Sequence, residues 1–345
     1  MISAPFLLKI VVAKIILSLG YSGFLVYQPV IFSEPPQIAH LVVNVETQKG
    51  GDAAKSNSLP LSKDKIRPEP RRKDGEDFST KLSAQSYVVV DAETEKNLLS
   101  EAADAPRAIG SITKLMSAII FLENSPAWDK EVVIDKNDGG QGKLYVFEGE
   151  TANVKDLFFA SLVGSSNNAT MALARSSGLS LEAFVQKMNQ KAKALGLKNT
   201  FFKEPTGLDS NNRSTAREVA LLLKYALQKD LIREAVTVKN YDITVVNTDK
   251  KLIKRLVENT DILLSNDFKD SHINSILGAK TGFIEEAGYC FVMETQNKDG
   301  KKIIAAILGA DNHFNRFSEA KVLAEWVYKN YLWPGEEGFD ELVQN

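Results

Sequence analysis

Cysteine and histidine are scarce in this chain of 345 residues. Its one cysteine, Cys290, excludes an intramolecular disulfide and any metal cluster built from cysteines. The three histidines, at positions 40, 272 and 313, lie too far apart along the chain to indicate a zinc site by local spacing. A G-x-S-x-G motif is also missing, which disfavours a Ser-His-Asp hydrolase. Much common hydrolase chemistry is therefore disfavoured.

The chain also lacks a strong charge of either sign. Its 42 Lys and Arg residues nearly balance 44 Asp and Glu residues, and the formal net charge is -2. Composition therefore gives no reason to expect a nucleic-acid partner. A hydrophobic share of 44% is ordinary for a globular protein, and the length allows about two domains.

A hydrophobic run lies near the N-terminus. Residues 15–32 carry no charge, and these 18 residues are about the length needed to cross a hydrocarbon core. Lys9 and Lys14 precede the run, so the positive-inside tendency places the rest of the chain on the periplasmic or extracellular side. A cleaved signal peptide is the alternative, although no small-x-small cleavage site follows the run. We expect residues 1–32 to be a single-pass anchor in the cell membrane.

A polar segment follows the hydrophobic run. Residues 33–83 are rich in Pro, Gly, Ser, Lys and Asp, and such a segment buries too little apolar surface to offset its ordering entropy. We expect residues 33–83 to be a flexible tether. We expect residues 84–333 to form one folded domain and residues 334–345 a C-terminal tail.

The pattern from residue 84 onward predicts an α+β fold. Strands are expected first, then several helices, then strands again and a final helix from about Ser318. This order predicts an antiparallel sheet whose first and last segments meet, with helices packed on it and a helical insertion between them. The expected helices cover residues 111–121, 155–163, 168–178, 181–195 and 215–228, and the later strands cover 276–283, 288–296 and 301–310.

Three short motifs follow one another in this region. They are the S-x-x-K of Ser111 and Lys114, the S-x-N of Ser165 and Asn167, and the K-T-G of Lys280, Thr281 and Gly282. Each motif alone is weak, since Ser62 and Lys65 spell another S-x-x-K in the tether. All three in this order, each on the expected kind of element, match the set found in penicillin-binding proteins and class A β-lactamases.

The chemistry of the motif residues supports this interpretation. A serine hydroxyl needs a neighbouring base, and positions i and i+3 of a helix share a face, so Lys114 can take the proton of Ser111. Lys114 serves as a base only when its charged form is disfavoured, by burial and by a nearby cation such as Lys280. The backbone N–H of Ser111, at a helix N-terminus, can stabilise an oxyanion.

Longer segments resemble the serine-type D-alanyl-D-alanine carboxypeptidases, the low-molecular-mass penicillin-binding proteins of the β-lactamase-like superfamily. The resemblance covers about residues 84–333 and rests on RAIGSITKLMSA, LVGSSNNATMALA, EPTGLDSNNRSTAREVALL, GAKTGFIEEAGYCFV and RFSEAKVLAEWVY. The third segment resembles the family pattern N-P-x-G-L followed by S-T-A-R-D. The family substrate is a peptidoglycan stem peptide ending in D-Ala-D-Ala, β-lactams are its inhibitors, and no metal or cofactor is implied.

The resemblance also implies roles for the catalytic residues. Ser111 would attack the carbonyl of the penultimate D-Ala, with Lys114 as the base. Ser165 would relay a proton to the leaving amine, and Asn167 would hold Lys114 and the substrate amide. Asn168 stands where the family usually has Asp.

Substrate binding is assigned in the same way. The K-T-G motif, with Lys280, Thr281 and Gly282, would receive the terminal carboxylate, and the N–H of Phe283 would complete the oxyanion hole. Relatives often carry an Arg after the hairpin, where this chain has G-A-D, so Arg316 is the nearest candidate. This departure leaves carboxypeptidase and endopeptidase activity both open.

Two further alternatives compete with the peptidase interpretation. A class A-like β-lactamase would deacylate through a Glu in an E-x-x-L-N loop, and the segment from Glu204 to Asp209 is superficially similar, with one residue too many. A non-catalytic wall-binding protein would keep the fold, but the intact motif set argues against it. Cys290, in an apolar strand, is expected to be a small core residue.

Overall fold

The computed structural model describes residues 68–344, except residues 76, 125–126 and 267. The predicted anchor and most of the predicted tether lie outside these described residues. Among the described residues, none of the helices has the length and apolar character needed to span a bilayer.

The described residues form strands, α-helices and short 3-10 helices. The strands are β1 Arg71–Arg72, β2 Ser86–Asp91, β3 Asn97–Glu101, β4 Arg107–Ala108, β5 Glu131–Val133, β6 Thr151–Asn153, β7 Arg213–Ser214, β8 Asn240–Val246, β9 Leu252–Glu258, β10 Ile273–Ile284, β11 Gly288–Asn297, β12 Lys302–Ala310 and β13 Tyr331–Leu332. The α-helices are α1 Lys114–Glu123, α2 Val154–Leu162, α3 Asn167–Ser176, α4 Leu181–Ala194, α5 Ala216–Ala226, α6 Asp230–Thr237, α7 Asn315–Asn330 and α8 Glu341–Gln344. Short 3-10 helices cover Gly110–Thr113, Lys136–Asp138 and Ile262–Ser265.

The largest sheet has the strand order β10-β11-β12-β2-β3, and every neighbouring pair is antiparallel. The N-terminal strand β2 pairs with the C-terminal strand β12, with Val88 opposite Ala306 and Val90 opposite Ile304. The prediction that the first and last segments of the domain meet in one antiparallel sheet is therefore confirmed.

Hydrophobic residues cover both faces of this sheet. Val88 and Val90 of β2 belong to the core formed with helices α1 to α6. The alternate residues Tyr87 and Val89 belong to the core formed with α7. Because successive side chains of a strand point to opposite faces, β2 is buried along its whole length. The helix α1 lies in the first core, and its residues from Lys114 to Phe121 are all buried.

The insertion between the outer strands contains a second sheet besides its helices. Its strand order is β5-β6-β8-β9. The sequence predicted only helices here. Strands β5 and β6 are three residues each, too short for a repeating pattern, and β8 and β9, of seven residues each, were not predicted. The prediction of a purely helical insertion is therefore incomplete. Strand β9 leads into the segment 259–261, where the Thr260 hydroxyl hydrogen-bonds the Thr281 hydroxyl of β10 at 2.7 Å.

The folded part begins earlier than residue 84. Strand β1 pairs with β13, and Phe78 packs against the core beneath α7. Pro70 is buried, and its carbonyl accepts a hydrogen bond from Lys96 Nζ at 2.8 Å. Residues from about Pro70 to 83 therefore have partners in the folded domain, which begins before the predicted boundary at residue 84.

Candidate active site

The nucleophile and base lie at the start of α1. Ser111 belongs to the 3-10 helix Gly110–Thr113, and Lys114 is the first residue of α1. Side chains three residues apart eclipse one another in a 3-10 helix. The Nζ of Lys114 consequently lies 2.8 Å from Ser111 Oγ. The structure brings the two S-x-x-K residues together as the spacing predicted.

Lys114 is fully buried and has three hydrogen-bond partners. Besides Ser111 Oγ, its Nζ donates to Asn167 Oδ1 at 2.6 Å and to the Thr206 carbonyl at 2.7 Å. Burial lowers the pKa of Lys114 from 10.5 to about 7, and the Glu204 charge opposes this shift. Two of the partners can only accept, so a neutral amine directs its lone pair toward the Ser111 hydroxyl. This geometry suits a general base.

The S-x-N motif connects α2 to α3. Ser165 adopts a left-handed conformation, with φ 58°, and Asn167 begins α3. The Nδ2 of Asn167 donates to the Gln141 carbonyl at 3.0 Å, so its Oδ1 faces Lys114. Strained backbone of this kind occurs where the surrounding structure holds a functional side chain in place.

The structure also explains why Asn168 can replace the Asp of the family pattern. Its Oδ1 accepts hydrogen bonds from Ser166 Oγ at 2.6 Å and from Ala169 N at 2.9 Å. Its Nδ2 donates to the Val146 carbonyl at 2.6 Å. An ionised Asp has no donor for that carbonyl. Asn168 therefore stabilises the turn that carries the S-x-N motif, and none of these hydrogen bonds is to Ser111.

The K-T-G motif lies on β10. Lys280 is almost fully buried, and its Nζ donates to Ser165 Oγ at 2.8 Å. Burial, followed by repulsion from Lys114 and Arg316, lowers the pKa of Lys280 well below its usual value. The sequence predicted that burial together with a nearby cation, Lys280, would lower the pKa of Lys114. In the structure burial is the largest cause for both lysines.

Arg316 reaches the same site from α7. The helix begins at Asn315, so Arg316 lies on its first turn, and the guanidinium donates to the Gly282 carbonyl at 3.3 Å. Its exposed fraction is only 5%, and burial lowers its pKa to about 10, which keeps it charged at neutral pH. The structure places this candidate on the wall of a cleft of about 750 Å³. Other residues lining this cleft are Ser111, Ser165, Asn167, Thr281, Gly282 and Phe283.

Three backbone segments meet behind the nucleophile. A Cβ on Gly110 would lie 2.6 Å from Phe283 N, which shows how closely β10 approaches the 3-10 helix. A Cβ on Gly207 would lie 2.0 Å from the Gly110 carbonyl oxygen and 2.9 Å from Ser111 N. The N–H groups proposed for the oxyanion hole are thus on neighbouring segments that only glycine lets approach.

Gly207→Ala is expected to lower the free energy of unfolding by about 3 kcal/mol or more, because φ is 92° and a Cβ would collide with backbone. Urea unfolding measures this change. Gly178→Ala is the matched control, since Gly178 has φ 81° but nothing within 4 Å of a Cβ. Equal losses in the two variants would show that the close approach does not matter.

Several residues of the site were not predicted from the sequence. The Thr206 carbonyl contacts Lys114, and the Thr260 hydroxyl hydrogen-bonds that of Thr281 at 2.7 Å. A contact through a backbone carbonyl does not depend on the residue type, so no sequence motif reveals it. Thr260 lies in a loop that matches none of the three motifs. The carboxylate of Glu204 accepts hydrogen bonds within its own turn and is not among the residues that line the cleft. That placement argues against the β-lactamase alternative.

Cys290 is fully buried in β11, and burial raises the pKa of its thiol to about 11. The prediction that it is a small core residue is confirmed. Within the described part of the chain, no group of three or more His, Cys, Asp or Glu side chains is placed to hold a metal ion.

Comparison with known proteins agrees with this site. The sequence profile of the D-alanyl-D-alanine carboxypeptidase family matches residues 73–312, which include all three motifs. The chain belongs to this family. A D-alanyl-D-alanine endopeptidase of Haemophilus influenzae is 34% identical over 65% of this chain and 74% of its own length. The D-alanyl-D-alanine carboxypeptidase DacF of Bacillus subtilis is 31% identical over 72% of this chain and 63% of its own length.

Solved structures of related enzymes show the same fold as this D-alanyl-D-alanine carboxypeptidase family member. The Streptomyces K15 DD-transpeptidase superposes with a TM-score of 0.66 at 27% identity, covering 73% of this chain and 99% of its own. Penicillin-binding protein D2 of Listeria monocytogenes, in its cefotaxime-bound form, has a TM-score of 0.61 at 28% identity, covering 74% and 100%. The expected α+β fold of the β-lactamase-like superfamily is therefore confirmed.

Proposed function

We propose that this protein is a serine D,D-carboxypeptidase that removes the terminal D-Ala from peptidoglycan stem peptides. One observation carries the proposal. Ser111 Oγ lies 2.8 Å from the amine of a fully buried lysine whose pKa is about 7. A lysine with that pKa can accept a proton at neutral pH, so Ser111 is activated without histidine.

Acylation begins when Ser111 Oγ attacks the carbonyl carbon of the penultimate D-Ala and passes its proton to Lys114 Nζ. The backbone N–H groups of Ser111 and Phe283 would stabilise the negative charge that develops on the carbonyl oxygen. Asn167 and the Thr206 carbonyl hold the Lys114 amine during this transfer. The tetrahedral intermediate then collapses, and the bond to the terminal D-Ala breaks.

The leaving amine requires a proton as this bond breaks. Lys280 donates to Ser165 Oγ, so the Ser165 hydroxyl points its own proton toward the amine. As Ser165 gives that proton to the amine, its oxygen takes in return the proton that Lys114 accepted from Ser111, which leaves Lys114 neutral again and Ser165 a hydroxyl. Water then attacks the ester on Ser111, which releases the shortened peptide and restores the serine hydroxyl. The residues named here supply acid, base and nucleophile from the chain itself.

Arg316→Gln is expected to lower kcat/KM for a peptide ending in free D-Ala by about 10–100-fold, because a charge-assisted hydrogen bond to the carboxylate is lost. Hydrolysis rates over a range of peptide concentrations measure the change. A matched peptide with an amidated C-terminus is the control, and its hydrolysis should respond little to the substitution. An equal loss on both peptides would contradict carboxylate binding by Arg316.

Endopeptidase cleavage of cross-links is the second candidate activity. Relatives from Haemophilus influenzae and Escherichia coli named D-alanyl-D-alanine endopeptidases match this chain at 34% and 32% identity. Purified protein should be incubated with a pentapeptide ending in D-Ala-D-Ala and with a cross-linked stem-peptide dimer. The main proposal requires free D-Ala from the pentapeptide, and cleavage of the dimer alone would favour the endopeptidase. Cleavage of neither substrate would contradict both activities.

We also propose that residues 15–32 anchor the protein in the cell membrane, with the catalytic domain outside. The uncharged run and the preceding Lys9 and Lys14 support this placement. Alkaline extraction of membranes, combined with protease treatment of intact cells lacking an outer barrier, tests it. Release of the full-length protein by alkali would contradict an anchor.

A further inference from the structure

A turn at residues 204–207 forms one wall of the pocket around Lys114. The Thr206 carbonyl accepts a hydrogen bond from Lys114 Nζ at 2.7 Å. Ser117, one turn further along α1, donates to the Pro205 carbonyl at 2.6 Å. The turn is thus joined to α1 at two successive positions, and its shape determines where the Thr206 carbonyl lies.

The Glu204 carboxylate holds this turn together from within. It accepts hydrogen bonds from the backbone N–H and the hydroxyl of Thr206, both at 2.6 Å, and from Gly207 N at 2.5 Å. Asn212 Nδ2 adds another at 2.6 Å. All four groups are donors here, which suits a carboxylate and not an amide. A negative charge is therefore held next to the carbonyl that contacts Lys114.

We propose that Glu204 is a positioning residue for Lys114: its carboxylate holds the Thr206 carbonyl against the lysine amine and sets the pH range in which that amine can accept the Ser111 proton. The inference rests on the proposed acyl-enzyme function.

The direction of the effect follows from the charges around the lysine. Burial lowers the pKa of Lys114, and Glu204 raises it against that trend. Lys280 on β10 is a titratable group near Lys114, and repulsion from Lys114 contributes to lowering the pKa of Lys280. Ser111, Asn167 and the Thr206 carbonyl, which also face the amine, are uncharged. Removing the Glu204 charge should therefore let Lys114 lose its proton at lower pH.

The test measures the acylation rate of the full-length protein by a fluorescent penicillin between about pH 5 and pH 9, which spans the Lys114 titration. The acid limb of this pH–rate profile is the range in which acylation rises with pH as Lys114 loses its proton. In Glu204→Gln the acid limb is expected to move to lower pH by about one unit. Glu204→Asp keeps the charge on a shorter side chain, so its plateau should fall while its acid limb stays in place. Glu286→Gln removes an exposed carboxylate of the same cleft and is the matched control, with an unmoved limb.

The proposal requires that the acid limb move when the Glu204 charge is removed. A lower plateau with an unmoved acid limb in Glu204→Gln would show that Glu204 only supports the fold of the turn. If Glu204→Gln does not fold, as judged by thermal unfolding, Glu204→Asn removes the same charge and is measured in the same way. Unfolding of both neutral variants would assign the carboxylate to folding alone. Failure of the unaltered protein to react would instead overturn the acyl-enzyme function itself, and this inference with it.

Discussion

Replacing Ser111 with alanine is expected to abolish covalent labelling by a fluorescent penicillin and to lower D-Ala release from a pentapeptide by at least about 10⁴-fold. The ester to the substrate forms on Ser111 Oγ, and the other cleft hydroxyls have different partners. Ser165 Oγ accepts from Lys280, and Thr281 Oγ1 pairs with Thr260. Only Ser111 lies in contact with the Lys114 amine among the hydroxyl side chains whose hydrogen bonds are described.

Gel fluorescence after incubation with the penicillin and chromatography of released D-Ala measure this loss. Ser111→Ala removes one hydrogen bond from a half-buried site, so its free energy of unfolding should change by only about 1 kcal/mol. Ser62→Ala is the matched control, because Ser62 and Lys65 spell another S-x-x-K, and it should be labelled like the unaltered protein. Labelling of Ser111→Ala to the normal extent would disprove the assignment of the nucleophile.

Replacing Lys114 with methionine is expected to slow acylation by about 10²–10⁴-fold, the usual contribution of a general base. Methionine fills a similar volume but cannot accept the Ser111 proton. In the unaltered protein acylation should rise with pH through about 7, as Lys114 loses its proton. The variant should lack that limb. Stopped-flow acylation across this pH range distinguishes the two, and a variant that keeps both rate and limb would exclude Lys114 as the base.

The same substitution should change how stability depends on pH. Because the pKa of Lys114 falls from 10.5 to about 7 on folding, the unfolded chain binds more protons between these pH values. The contribution of Lys114 to the free energy of unfolding therefore rises with pH across this window and is least favourable below about pH 7. Relative to the unaltered protein, Lys114→Met should gain stability as pH falls from 10.5 to 7. A difference that does not vary with pH, measured by urea unfolding, would contradict a depressed pKa.

Local patterns predicted much of this site because its chemistry depends on short spacings. Ser111 and Lys114 are three residues apart, and any tight helical turn brings such positions together. Lys280 was placed on a strand by the apolar residues around it, and it is on β10. The pairing of β2 with β12 was predicted from element order, since early and late strands in one domain need a common sheet.

Contacts between distant segments could not be predicted in this way. Arg316 reaches the Gly282 carbonyl only because α7 packs across the sheet and begins one turn earlier than expected. The largest cause of the Lys114 pKa shift is burial, and the motif residues alone do not show how deeply Lys114 is buried. The ordered structure of residues from about Pro70 depends on the antiparallel pairing of β1 with β13, which is distant in sequence.

The sequence by itself determined the reacting groups and their order, because nucleophile, base and binding strand are each encoded within a few neighbouring residues. The tertiary structure decided how those groups behave. Burial of Lys114 makes it a base near neutral pH, and the Glu204 turn places a carbonyl and a charge beside it. Dielectric environment and long-range packing produce these effects, and both depend on residues brought together only by folding.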